Sequence, residues 1–162
     1  MLRRTLWFFL AGAWFAVGHV PAFAQKYDGP RPPKPDILYI KHANNLIPTE
    51  VVQAKEDQRK DDTLYTIDGE NSSARTPLAE PIFLLLADKL QPDKLQLFKL
   101  ETKNGHREIL FAKRKGPMSI RVEITRLGSD NLYKLEVEEE LAPGEYSLSP
   151  PGSNQAFCFQ VF

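Results

Sequence analysis

The chain has 162 residues, 21 basic and 21 acidic side chains and a single cysteine. That length carries one domain with a modest core. The charge balance excludes the concentrated basic face of a nucleic-acid binder, and one cysteine excludes an internal disulfide.

Arg3 and Arg4 form a short positive stretch, and Leu6 to Val17 is an apolar run broken only by Gly12. This is the order of a secretory signal. Pro21 breaks the helix after it, and Ala22 and Ala24 place small residues where a signal peptidase requires them, so cleavage is expected between Ala24 and Gln25. A spanning anchor, the alternative, needs about 20 apolar residues, whereas this run meets Gly18 and His19 well before that. No cysteine near the cleavage point offers a lipid attachment site, and Leu2 and Thr5-Leu6-Trp7 fit a twin-arginine signal poorly. The expected product is periplasmic or extracellular with no membrane span after cleavage. It has two fewer basic than acidic groups, and Trp7 and Trp14 leave with the signal.

Residues 25–36 read QKYDGPRPPKPD, a proline density that excludes helix and central strand and favours an extended, solvated tether; a proline-rich ligand for a partner is the alternative. Strand-like runs follow at Ile37–Lys41 and Thr63–Ile67, each closed by turn chemistry, with a further candidate at Glu50–Ala54. Lys55 to Asp62 is almost wholly charged and reads as a solvated loop. Ile82–Ala87, apolar throughout and bounded by Pro81 and Gln91-Pro92, suits a fully buried strand.

The clearest local signal lies between Leu95 and Lys113, where QLFKLET and REILFAK flank Lys103-Asn104-Gly105-His106. Asn104 and Gly105 supply the two positive φ angles of a type I′ turn, so a hairpin is expected. Met118 to Val137 repeats the pattern with Ile120, Val122 and Ile124 on one face and Leu135 and Val137 returning on it. A six-residue loop, Arg126 to Asn131, pairs Arg121 with Glu136 and Glu123 with Lys134. A four-residue loop sets Glu123 against Glu136, which cross-strand repulsion disfavours, so the longer loop is expected.

At the C-terminus Leu141-Ala142-Pro143-Gly144-Glu145-Tyr146 opens an alternating strand, and the turn-rich 150–154 leads into the apolar 156–162. Pro143, Gly144 and Tyr146 resemble the tyrosine corner of Greek-key sandwiches, in which the phenol bonds back to nearby backbone. With two hairpins and no amphipathic helix, the expected class is all-β, an immunoglobulin-like antiparallel β-sandwich over residues 37–162. That stretch also resembles a loosely defined group of secreted bacterial domains that pair a segment like Tyr65-Thr66-Ile67-Asp68-Gly69 with a closing PGEY and FCF, here Pro143–Tyr146 and Phe157-Cys158-Phe159. The resemblance implies fold and export, and no activity.

Chemistry is sparse. His42 and His106 read as solvated loop residues, too few and too scattered for a zinc site. Ser147, Ser149 and Cys158 lack a neighbouring base in sequence. Alternate members of Glu136–Glu140 share a face, as a glycosidic acid pair would, yet an acidic solvent face is the commoner meaning. Asp68-Gly69-Glu70-Asn71 lacks the spacing of a calcium loop. Cys158 between two phenylalanines reads as a small buried thiol, with an intermolecular disulfide as the alternative. No catalytic, cofactor-binding or metal residue is therefore assigned. The leading expectation is a non-catalytic binding or scaffolding module whose partner is an unknown envelope protein. A glycan-binding module stacking sugars on Tyr39, Tyr65 or Tyr133 is the alternative, ahead of a hydrolase.

Overall fold

The computed structural model describes residues 27–162; the expected signal and its cleavage positions Ala22, Ala24 and Gln25 lie outside them. The described chain is all-β. Its strands are β1 (Leu38–His42), β2 (Asn45–Pro48), β3 (Glu50–Gln53), β4 (Lys55–Arg59), β5 (Asp62–Asp68), β6 (Arg75–Thr76), β7 (Ile82–Leu86), β8 (Gln96–Lys103), β9 (His106–Phe111), β10 (Val122–Arg126), β11 (Leu132–Val137), β12 (Gly144–Ser149) and β13 (Gln155–Val161). A five-stranded sheet has the order β10-β11-β7-β1-β2, and a larger one the order β3-β13-β12-β8-β9-β5-β4, with β6 joining parallel to β13. All other pairings are antiparallel.

The two sheets face each other across the main core. Leu38, Ile40, Phe83, Leu85 and Leu135 of the smaller sheet meet Leu97, Tyr146, Leu148, Phe157 and Phe159 of the larger. Period-two alternation puts these residues on the facing sides. Phe83 and Phe159 meet edge to face at 5.0 Å between centroids, a geometry aromatic pairs favour. β7 lies in the middle of its sheet, and Phe83, Leu84 and Leu85 are all buried, as its unbroken apolar run requires.

Asn104 and Gly105 have φ of 50° and 82° and link Lys103 to its partner His106, so the β8–β9 hairpin turns on these two residues. At the C-terminal corner Tyr146 donates its hydroxyl to the Ala142 carbonyl at 2.7 Å and stacks on Phe159. Gly144, at φ 154°, holds a backbone conformation that strains any side chain, and a Cβ there would meet Lys99 Cε at 3.2 Å, so that flexible lysine would have to shift by a few tenths of an ångström. Tyr146→Phe is expected to lower stability by about 1 kcal/mol, the net worth of one hydrogen bond, read as a lower urea midpoint with an unchanged m-value.

Residues 27–36 form no strand but lie against the domain. Pro32 is buried, Arg31 pairs with Asp130, and Asp36, at φ 56°, accepts backbone N–H bonds from Asp88, Lys89 and Leu90 at 2.9–3.0 Å. Partial burial alone would raise the Asp36 pKa, but these donors and the Lys89 charge outweigh it and hold the carboxyl below its ordinary value. A depressed folded pKa means the contribution is complete above the ordinary carboxylate pKa and is lost as pH falls through the lowered one. Asp36→Asn should therefore cost about 1 kcal/mol at neutral pH, a difference from wild type that closes in urea titrations as the pH falls towards 2.

The structure corrects four expectations. In the β10–β11 hairpin Glu123 lies opposite Glu136 and Thr125 opposite Lys134, the register of the shorter loop. A two-residue slip leaves the same face inward, so burial does not choose between the registers. The loop decides: Leu127 N–H bonds the Leu132 carbonyl at 2.8 Å, Gly128 takes φ 72°, and Arg126 bonds the Ser129 and Asp130 carbonyls. The like charges are relieved because Lys134 pairs with Glu136 at 2.6 Å and Glu123 is exposed.

The charged run expected as a loop is instead the edge strand β4, hydrogen-bonded along β5, because an edge leaves every side chain free to remain in water. The turn chemistry expected at Ala43-Asn44-Asn45 ends one residue sooner, because Asn45 already opens β2, which pairs back onto β1 around Ala43 at φ 50°. Finally, both histidines sit on strands. His42 Nε2 is 2.8 Å from Thr76 Oγ1 and His106 Nε2 is 2.8 Å from Glu108 Oε2.

Candidate functional site: a trough in the larger sheet

Glu50 on β3 and Arg107 on β9 are separated by three intervening strands, β13, β12 and β8. At about 4.8 Å per strand a flat sheet would hold them almost 20 Å apart, yet Glu50 Oε2 lies 2.8 Å from Arg107 Nη1. The larger sheet is therefore rolled into a half-barrel. Its concave side, facing away from the main core, forms a trough lined by the other set of alternating side chains.

One end of the trough is plugged by charge. Arg107 is fully buried and all five of its N–H groups are used. Nε donates to the Gly69 carbonyl, Nη1 to Glu50 and Ser72 Oγ, and Nη2 to Glu50 and the Asp68 carbonyl. Ser72 relays the contact to Glu145, whose Oε2 accepts from both its N–H and its hydroxyl. Burial disfavours the guanidinium charge, but the Glu50 hydrogen bonds and nearby carboxylates reverse this and raise its pKa. Glu145 Oε1 has no hydrogen-bond partner among the described residues. The Asp68-Gly69 turn thus serves as an acceptor for arginine.

The middle of the trough is apolar, with Ile67, Leu100, Ala156 and Cys158 buried and Val52, Ala54 and Ile109 packed on them. Cys158 is a free, fully buried thiol. Burial pushes its pKa up to about 12, with Glu50 and Glu145 adding to the shift and Arg107 and a Ser147 hydrogen bond opposing it. The two histidines among the described residues make their hydrogen bonds elsewhere, His42 with Thr76 and His106 with Glu108.

The other end is open. A pocket of about 280 Å³ is walled by Tyr65, Phe98, Ile109 and Phe111 on one side and by Ala156 and the 150–154 turn on the other. Phe111 is the hub of its aromatic wall, edge to face with Tyr65 at 5.5 Å and with Phe98 at 5.3 Å. Ser147 and Ser149, whose hydroxyls lie 2.8 Å apart, form a polar stripe down one side, and Gln96, Asn154 and Gln155 complete the lining. Among the described residues its lining holds no acid, histidine, lysine or arginine. Compared with known protein families, with curated proteins and with solved structures, the chain matches none.

The residues singled out in the sequence are dispersed. Tyr39 is buried in the smaller sheet and Tyr133 is half-buried there, so Tyr65 alone of the three lines the pocket. Glu136 and Glu138 are held by Lys134 and Arg121 on the smaller sheet. Asn104 and Gly105 sit at the hairpin tip, and Pro143, Gly144 and Tyr146 at the corner, all outside the pocket. Sequence reasoning passed over Arg107, Phe98 and Phe111. Arg107, Ile109 and Phe111 do share one face of a single strand, but so do Val122, Ile124 and the exposed Arg126, so the pattern alone does not single out the buried ion.

Proposed function

We propose that the chain is an exported, non-catalytic binding module of the cell envelope, and that the pocket at the open end of the half-barrel receives an apolar group from a partner protein. The pocket carries this reading, being concave, largely apolar and edged with a few polar groups, the usual composition of a binding site. The sheets that face each other across one core and the Tyr146–Ala142 hydrogen bond support an immunoglobulin-like sandwich whose larger sheet has rolled. Export rests on Arg3-Arg4, the apolar run and the Ala22-x-Ala24 pattern.

A glycan platform is supported less well. Sugar stacking needs a flat ring face open to solvent, whereas Tyr65 stands edge-on to Phe111 within a concave wall. Ala54, half-buried at the pocket margin, offers a direct test. Ala54→Phe fills the pocket without touching the main core. Wild-type protein should retain a partner from envelope extracts that this variant loses while keeping the wild-type melting temperature. Equal recovery by both proteins overturns the reading.

A further inference from the structure

The chemistry of the pocket narrows what it takes. We infer that its occupant is an uncharged aromatic ring bearing a hydrogen-bonding group, supplied as a tryptophan or tyrosine side chain of the partner; this rests on the protein-binding reading above. Three observations converge on it.

The first is size. At about 280 Å³ the site is roughly twice the ~150 Å³ cavity that holds a benzene molecule, which suits a bicyclic or substituted ring rather than a methyl or a long chain. The second is geometry. Phe111 already meets Tyr65 at 89° and Phe98 at 78°, so the wall presents ring edges and faces in the T-shaped arrangement that an added ring can continue. The third is polarity. A charged group would be desolvated without an opposite charge, because the lining has none. The Ser147–Ser149 hydroxyl pair nevertheless lies in the wall, together with Gln96 and Asn154. An indole N–H or a phenol hydroxyl finds an acceptor there, a hydrogen bond that an aliphatic side chain does not make.

The test is NMR titration of the purified protein with three uncharged probes, N-acetyl-tryptophanamide, N-acetyl-leucinamide and free indole, following the amides of Phe98, Phe111 and Ser149. The tryptophan amide should bind at least several-fold more tightly than the leucine amide. Phe111→Leu should reduce that preference about three- to tenfold, the value of one edge-to-face ring contact, while leaving leucine amide binding nearly unchanged. Equal binding of the two amides at the pocket overturns the aromatic preference and leaves the apolar pocket standing. Free indole binding more tightly than the tryptophan amide overturns the side-chain source, because the peptide backbone is then excluded. Absence of any shift with all three probes overturns this inference and the pocket reading together.

Discussion

Replacing Arg107 with methionine is expected to remove about 3–5 kcal/mol of stability, a large share of the ~5–15 kcal/mol available to a domain of this kind. The guanidinium is buried, and Glu50 and Glu145 gather around it with side chains 21% and 3% exposed. Taking the cation away leaves these carboxylates partly or wholly out of water with no counter-charge, and it orphans the Asp68 and Gly69 carbonyls. Methionine keeps most of the volume, so the loss reports the charge network rather than a cavity. Urea unfolding gives the number. Adding Glu145→Gln to Arg107→Met should recover part of it, since the second change removes a buried charge. A loss under about 1 kcal/mol, or a double variant worse than the sum of its parts, would refute this account.

The second large effect concerns Cys158. With its pKa pushed up from 9.0 to about 12, the thiolate fraction at pH 8 falls about a thousandfold relative to a free thiol, and the thiolate is the reacting species. Iodoacetamide should label the native protein at least a thousandfold more slowly than the unfolded chain. Because this acid holds its proton more tightly folded than unfolded, the folded state binds more protons between pH 9 and about 12. Stability must therefore fall as pH rises through that window. Cys158→Ala should flatten the alkaline loss. Raised tyrosines contribute to what remains: burial raises the pKa of Tyr27, Tyr65 and Tyr146, with Glu56 and Glu139 adding to the shift at the last two and Arg31 and Lys134 opposing it at Tyr27. Rapid labelling of native protein at pH 8 would show the thiol to be accessible.

Features fixed by local chemistry were legible in the sequence. The Asn104-Gly105 turn, the apolar β7 and β13, the strand-like runs of β8 and β9 and the alternation of β11 each follow from a few adjacent residues. The register of β10 against β11 was not, because both candidate pairings bury the same face and the deciding interactions lie in the loop. The site was harder still. Phe98, Phe111 and Tyr65 come from three adjacent strands whose pairing partners lie far apart in sequence, and Arg107 meets Glu50 across 57 positions of sequence only because the sheet rolls. No short-range pattern encodes the rolling.

The wholly polar strand β4 has a bearing on how the larger sheet ends. Every one of its residues is exposed, and its charges are engaged within the chain, Lys55 with Asp68 and Arg59 with Asp57. An open half-barrel ends in a row of unpaired backbone groups, which another chain can extend strand by strand into an aggregate. At β4 an incoming strand would have to accommodate lysine, glutamate, aspartate and arginine side by side. The half-barrel can thus keep its pocket open without its β4 edge becoming a template for polymerisation.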